Sequence, residues 1–115
     1  MDKELLKGNV LGLILAVLAD GELHGYAIAR EIERRSGSAL SFKEGTLYPA
    51  LHALEDKGLV EAQWETVARG PSRKTYRLTD AGRDDLERRR TVWARFSEAI
   101  SGIMTPKPPE VLDGK

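Results

Sequence analysis

The hydrophobic and polar positions of this chain change period several times, and each change marks an element. Residues 10–19, VLGLILAVLA, are apolar on almost every side. Together with the residues before them they predict a first helix from about Lys3 to Ala19, buried between layers. The run is shorter than the ~20 apolar residues that cross a bilayer. Asp2 and Glu4 accompany Lys3 and Lys7 ahead of it, so it is not read as a signal peptide or membrane segment. Asp20-Gly21 ends the helix. The stretch HGYAIAREIERRSG then predicts a second helix that Gly37 closes. Tyr26, Ile28, Ala29 and Ile32 are expected on its apolar face, with Arg30, Glu31, Glu33, Arg34 and Arg35 opposite. His24 is read as a local structural residue at its start.

A third helix spans about Glu44 to Lys57, with Leu47, Leu51 and Leu54 at helical spacing and Gly58 as its stop. Pro49 is tolerable only near a first turn, which suggests that the regular part begins close to Leu47. The period then shortens to two. In LVEAQWETV, Val60, Ala62, Trp64 and Thr66 alternate with Glu61, Gln63 and Glu65. After the turn-rich ARGPSRK, TYRLT predicts a second strand with Tyr76 and Leu78 on one face and Arg77 on the other. The two strands form a hairpin. Thr79-Asp80 caps a last helix that runs to about Met104, about 37 Å at ~1.5 Å per residue. Thr105 onward is Pro-rich and reads as a disordered tail.

Three helices, a strand, a loop and a strand describe a winged helix-turn-helix. The expected fold is mainly α with a small β-hairpin: residues 1–79 as the winged domain, 80–104 as a dimerisation helix and 105–115 as the tail. In this motif the N-terminal end of the second motif helix enters the major groove of DNA. That end is KEGTLYPALH. It offers Lys43, the Thr46 hydroxyl, the Tyr48 phenol, Pro49 and His52, while the leucines face the core. Helix N-termini also attract phosphate. Tyr48 is assigned to phosphate contact. His52 can read a base, touch a phosphate or stay solvated. Tyr26 can pack in the core or send its hydroxyl to a phosphate.

Charge is the difficulty for a nucleic-acid reading. The chain of 115 residues carries 18 basic and 18 acidic side chains, and the third helix itself holds Glu44, Glu55 and Asp56 against Lys57. Any basic footprint must therefore be local. It lies in RGPSRKTYR, where Arg69, Arg73, Lys74 and Arg77 occur without an acid. Basic groups on a wing can follow phosphates or enter the minor groove.

In the last helix, Leu86, Trp93, Phe96, Ile100 and Ile103 form a heptad-like seam. The preceding RDDLERRR is too charged to fit a compact core. A striped lone helix needs a partner, and a second copy of the chain is the commonest one. The first helix, through Leu11 and Leu15, is expected to supply the other half of this homodimer interface. Two symmetric recognition helices match an inverted-repeat operator in double-stranded DNA, with half-sites ~34 Å apart. Trp93 either packs in the dimer or, with Phe96, walls a pocket for a flat apolar effector.

Other chemistries have little support. The chain has no cysteine, which fits a reducing cytoplasm, and two well-separated histidines, so neither thiol catalysis nor a metal site is expected. Ser36, Ser38 and Ser41 lack a suitable histidine, and Asp84, Asp85 and Glu87 read as a solvated helix face. No cofactor is expected. A winged-helix protein-interaction module without operator recognition is the alternative to a DNA-binding regulator.

The segments LLKGNVLGLILAVLADGELHGYAIAREIE, EGTLYPALHALEDKGLVEAQWE and RKTYRLTDAGRDDL together resemble the PadR family of bacterial transcriptional regulators. The resemblance covers about residues 5 to 96. It implies a dimeric winged-helix repressor, often autoregulatory, released from its operator by small molecules such as phenolic acids or flat hydrophobic drugs. The single last helix is similar to that of the short subfamily. The family's DNA contacts map onto Thr46, Tyr48 and His52 and onto Arg69, Arg73 and Lys74. A tryptophan on this helix stacks ligands in some members, and Trp93 is the candidate here. The short wing, with Pro71 at its tip, departs from the family pattern.

Overall fold

The computed structural model describes residues 3–65, 68–70 and 72–108. The elements are α1 (Lys3–Leu18), β1 (Leu23–His24), α2 (Gly25–Arg35), α3 (Glu44–Asp56), β2 (Val60–Glu65), β3 (Arg73–Leu78) and α4 (Asp80–Met104). Thr66 and Pro71, expected at the end of the first strand and at the wing tip, lie outside the described residues. So do residues 109–115 of the expected tail.

Helix α1 supplies the centre of the core. Ile14, Leu15 and Leu18 are fully buried and meet Ile28 and Ile32 of α2, Leu47, Leu51 and Leu54 of α3, and Tyr76 and Leu78 of β3. Burying each leucine contributes about 1.5–3 kcal/mol relative to exposure, which fixes the face that α3 turns inward. The opposite face of α3 is left for solvent or a partner.

Helix α3 begins earlier than Pro49 suggested. The amides of Thr46 and Leu47 both donate to the carbonyl of Lys43, at 2.9 and 3.0 Å, so the helix is regular from Glu44. Pro49 sits in the second turn. Its missing donor affects only the carbonyl of Gly45, in the exposed first turn, where the chain can tilt at little cost.

The sheet has three antiparallel strands in the order β1-β3-β2. β2 and β3 pair from Val60↔Leu78 to Glu65↔Arg73. β1, which the sequence reading assigned to a turn and a helix start, adds Leu23↔Tyr76 and His24↔Thr75. This short strand ties the start of α2 to the hairpin.

Two expectations for α2 and α4 are corrected. Tyr26 is 66 % exposed, because it lies almost across the helix from Ile28. The charged start of α4 is packed onto the domain. Gly82, Asp85 and Leu86 are buried there, and Asp85 is reconciled with burial by ion pairs to Arg88 and Arg89. The Arg89 hydrogen bond foremost holds the Asp85 carboxyl below its usual range, against the opposing effect of burial. Leu86 (3 % exposed) and Leu15 (0 %) thus belong to the domain's own core, and neither can form the dimer seam assigned to them. Leu11 is likewise partly buried against that core. Beyond Trp93, α4 leaves the domain, and the molecule extends to 78 Å.

Candidate nucleic-acid interface

Helices α2 and α3 present their N-termini without side-chain caps. His24 and Lys43 occupy the N-cap positions in extended conformation, and neither side chain accepts a bond from the helix. The Thr79 hydroxyl, by contrast, accepts from the amide of Gly82 at 3.0 Å and caps α4. Uncapped first turns leave amide donors directed outward, where an anion is favoured.

Lys43, Thr46, Tyr48, Pro49 and His52 are all exposed on the outer side of α3. Tyr48 also crosses to α2. A Cβ at Gly25 would stand 3.0 Å from the Tyr48 hydroxyl oxygen and from Cε1, so the ring lies close against the start of α2 and would have to shift for a larger residue there. Tyr26 extends the same surface, with the Arg30 guanidinium 5.7 Å from its ring centroid. A shallow concavity joins these groups to the hairpin. It is lined by His24, Gly25, Tyr26, Tyr48, Trp64, Arg73, Lys74 and Tyr76.

Ion pairing sorts the cations. Among the described residues, Arg69 and Arg73 are exposed and form no salt bridge. Lys74 is tethered: its ammonium lies 3.4 Å from Glu55, 5.5 Å from the Tyr76 ring and 5.8 Å from Trp64. Burial works against its charge, but Tyr76 and Glu55 outweigh burial and raise its pKa. Arg77 faces the other way and is paired with Glu61 at 2.8 Å and Glu22 at 3.8 Å. Arg34 and Arg35 are held by Glu31, whose carboxyl is lowered to about 2, chiefly by the Arg34 hydrogen bond. The free positive charge on this side is therefore narrower than the sequence count: Arg69, Arg73 and Lys43, with Arg30 beside Tyr26.

Sequence reasoning missed Arg30 and Trp64. Arg30 lies one turn after Tyr26, which a helical wheel centred on an exposed Tyr26 would have found. Trp64 keeps the alternation of Val60 and Ala62 but projects past the core, where it is exposed beside Lys74. His24 sits 3.9 Å from Glu65, and its Nδ1 is buried without a hydrogen-bond partner among the described residues.

A second surface lies on the far side. Val92, Trp93, Phe96, Ile100, Ile103 and Met104 of α4 are exposed, as is Leu5 of α1. The Trp93 and Phe96 ring centroids are 6.2 Å apart. Between α1 and α4 runs a mostly apolar groove of about 440 Å³, lined by Leu5, Leu6, Gly12, Leu13, Ala16, Leu40, Leu86 and Trp93, among others. It is this face of α1, and not Leu11 and Leu15, that borders it. Among the described residues no cluster of ligating side chains could hold a metal ion, and no helix is long and apolar enough to cross a membrane.

Comparison with known proteins agrees with this layout. The transcriptional regulator PadR-like family model matches residues 14–88. A transcriptional regulator of Mycobacterium tuberculosis is 41% identical over 101 residues, covering 87% of this chain and 91% of the relative. The negative transcriptional regulator PadR of Bacillus subtilis is 34% identical over 73 residues, 64% of this chain and 40% of that protein. The crystal structure of a PadR-like transcriptional regulator from Bacillus cereus superposes with a TM-score of 0.78 at 27% identity, covering 91% of this chain and all (100%) of the other. The winged-helix architecture is that of a DNA-binding transcriptional regulator, not an enzyme. The chain belongs to the PadR-like family of transcriptional regulators.

Proposed function

We propose that the protein is a dimeric, cytoplasmic repressor that binds an inverted-repeat operator and is released by a small aromatic or hydrophobic effector. The observation that carries this reading is the grouping, on one side of the domain, of the outward face of α3 with Tyr26, Arg73 and two uncapped helix N-termini. Thr46 and His52 reach base edges, where short polar side chains discriminate sequence. Lys43, Tyr26, Tyr48 and Arg73 hold the backbone phosphates, Arg69 follows the wing, and Pro49 packs against the groove wall. Lys74 contributes less than its charge suggests, because Glu55 shares it.

The exposed α4 stripe supports a homodimer. An apolar surface of Trp93, Phe96, Ile100 and Ile103 is one that a monomer does not leave open. The winged unit (1–79) and the dimerisation helix (80–104) then divide the work, although the root of α4 is shared between them. The α1–α4 groove, with Trp93 at its wall, is the proposed effector site. Repression is favoured because a relative is named a negative regulator.

Titrating the protein against a mixed-sequence duplex pool at increasing salt tests the DNA reading. Affinity should fall steeply as phosphate-bound counterions are released. Binding that ignores salt would favour a protein-interaction module working through the apolar stripe. For the effector site, Trp93→Ala should reduce release by a planar aromatic acid, which the anionic duplex does not take up, while operator affinity is retained. Unaltered release would remove Trp93 from that site.

A further inference from the structure

The end of α3 and the start of α4 are joined directly, and not only through the hairpin between them. Gly58 closes α3 with φ +72. Its carbonyl accepts from the Thr79 hydroxyl at 2.7 Å, and the carbonyl of Leu59 accepts from the Thr79 amide at 3.1 Å. The same Thr79 hydroxyl accepts from Gly82 at 3.0 Å, so one side chain ties the turn that closes α3 to the first turn of α4. Gly82 completes the contact. A Cβ there would stand 2.0 Å from the Leu59 carbonyl oxygen, a backbone atom that cannot move aside. The end of the recognition helix and the start of α4 are thus latched at Thr79 and Gly82, with no compressible side chain between them.

We infer that this latch sets the distance between the two DNA half-sites, so that Thr79 and Gly82 are positioning residues for spacing and not for sequence. The inference rests on the symmetric dimer proposed above. Its physical basis is leverage. Helix α4 has 25 residues, about 37 Å, and in the proposed dimer the partner sits on its distal half. A tilt of about 10° at the root moves the far end by roughly 6 Å, close to two base-pair steps of ~3.4 Å. An error that small at the latch changes which spacer length two recognition helices can span. Neither residue lies on the α3 surface that meets the bases, so the sequence of each half-site is untouched.

The test uses inverted-repeat duplexes that share the half-sites enriched from a random library and differ only in spacer length. Wild type should prefer one spacing over spacers two base pairs longer or shorter by about tenfold, within the usual cost of a mismatched site. Thr79→Val removes both hydroxyl bonds and keeps the β-branched shape. It should flatten the preference to roughly threefold or less, with single half-site binding unchanged, while Thr79→Ser restores it. A dimeric Thr79→Val protein that keeps the tenfold preference overturns the inference and leaves the operator reading intact. So does a uniform loss of affinity at every spacing. A wild type with no preferred spacing sinks both. Should Thr79→Val not fold, Thr79→Ala takes its place, since it removes the same two hydroxyl bonds and adds no new contact. Because the chain has no cysteine, His52→Cys also gives one spin label per subunit. The distance distribution between labels in the free dimer should broaden in the latch variant, and an unchanged distribution counts against the latch.

Discussion

The surface around α3 and the distal half of α4 both expose large side chains, yet the two exposures differ in kind. Around α3 the exposed groups are Tyr26, Tyr48 and Trp64, each beside a cation or a helix N-terminus. On α4 they are Val92, Trp93, Phe96, Ile100, Ile103 and Met104. Aromatic rings with a polar edge among cations suit a wet, anionic partner such as a phosphate backbone. A stripe that is aliphatic and phenyl apart from the Trp93 indole, with no cation over its rings among the described residues, suits another protein surface that excludes water. Exposure by itself therefore assigns no function, and the company of each exposed ring does.

The largest effect should come from charging the dry surface. Ile100→Glu places a carboxylate in the proposed seam, at a cost of about 3 kcal/mol or more of association. Sedimentation should show monomers, and operator affinity should fall by two orders of magnitude or more. A variant that stays dimeric would show that the two surfaces do not differ as described.

Tyr48→Ala comes next, on the wet surface. Losing the hydroxyl proposed to bond a backbone phosphate should cost about 1.5–3 kcal/mol of DNA affinity, whatever the sequence. The dimer should persist unchanged in sedimentation. Loss of folding or of the dimer would mean that the ring's seat on Gly25 is structural.

Asp85, at the root of α4, sharpens the boundary between core and stripe. Its folded pKa lies below the usual value, so its contribution is complete at neutral pH. That contribution fades as pH falls below the ordinary aspartate value of ~3.9 towards the lower folded one. Asp85→Asn should lose about 1–2 kcal/mol at pH 7 and show a shallower acid loss than wild type in denaturant melts. Parallel acid profiles would detach the root of α4 from this ion pair.

The smallest effect concerns single cations. Arg73→Ala should lower the salt slope of DNA binding by about one unit, roughly threefold between 50 and 200 mM salt. Lys74→Ala should change it less, because Glu55 already neutralises much of that charge. Equal slopes for the two variants would contradict the sorting of free from tethered cations.

The elements with long periodic patterns were legible in the sequence. The apolar run of α1, the leucine spacing of α3, the alternation of the hairpin and the Thr79 cap of α4 each have a local physical cause. β1 was not legible, because two residues carry no period and Leu23-His24 is a strand only through pairing with Thr75 and Tyr76. The basic wing was legible as composition but not as available charge. Glu55, Glu61 and Glu22 lie far along the chain from the cations they neutralise. Leu15 and Leu86 were misassigned for a related reason. An apolar position announces burial, and only the tertiary packing says whether the cover comes from the same chain.

The most direct test of the central claim is selection from a random ~30-base-pair duplex library, long enough for two half-sites. Purified protein is mixed with the library at moderate salt, and the retained DNA is sequenced. The account predicts enrichment of one inverted repeat with its half-sites about one helical turn apart. Folded, dimeric protein that enriches no sequence would contradict it.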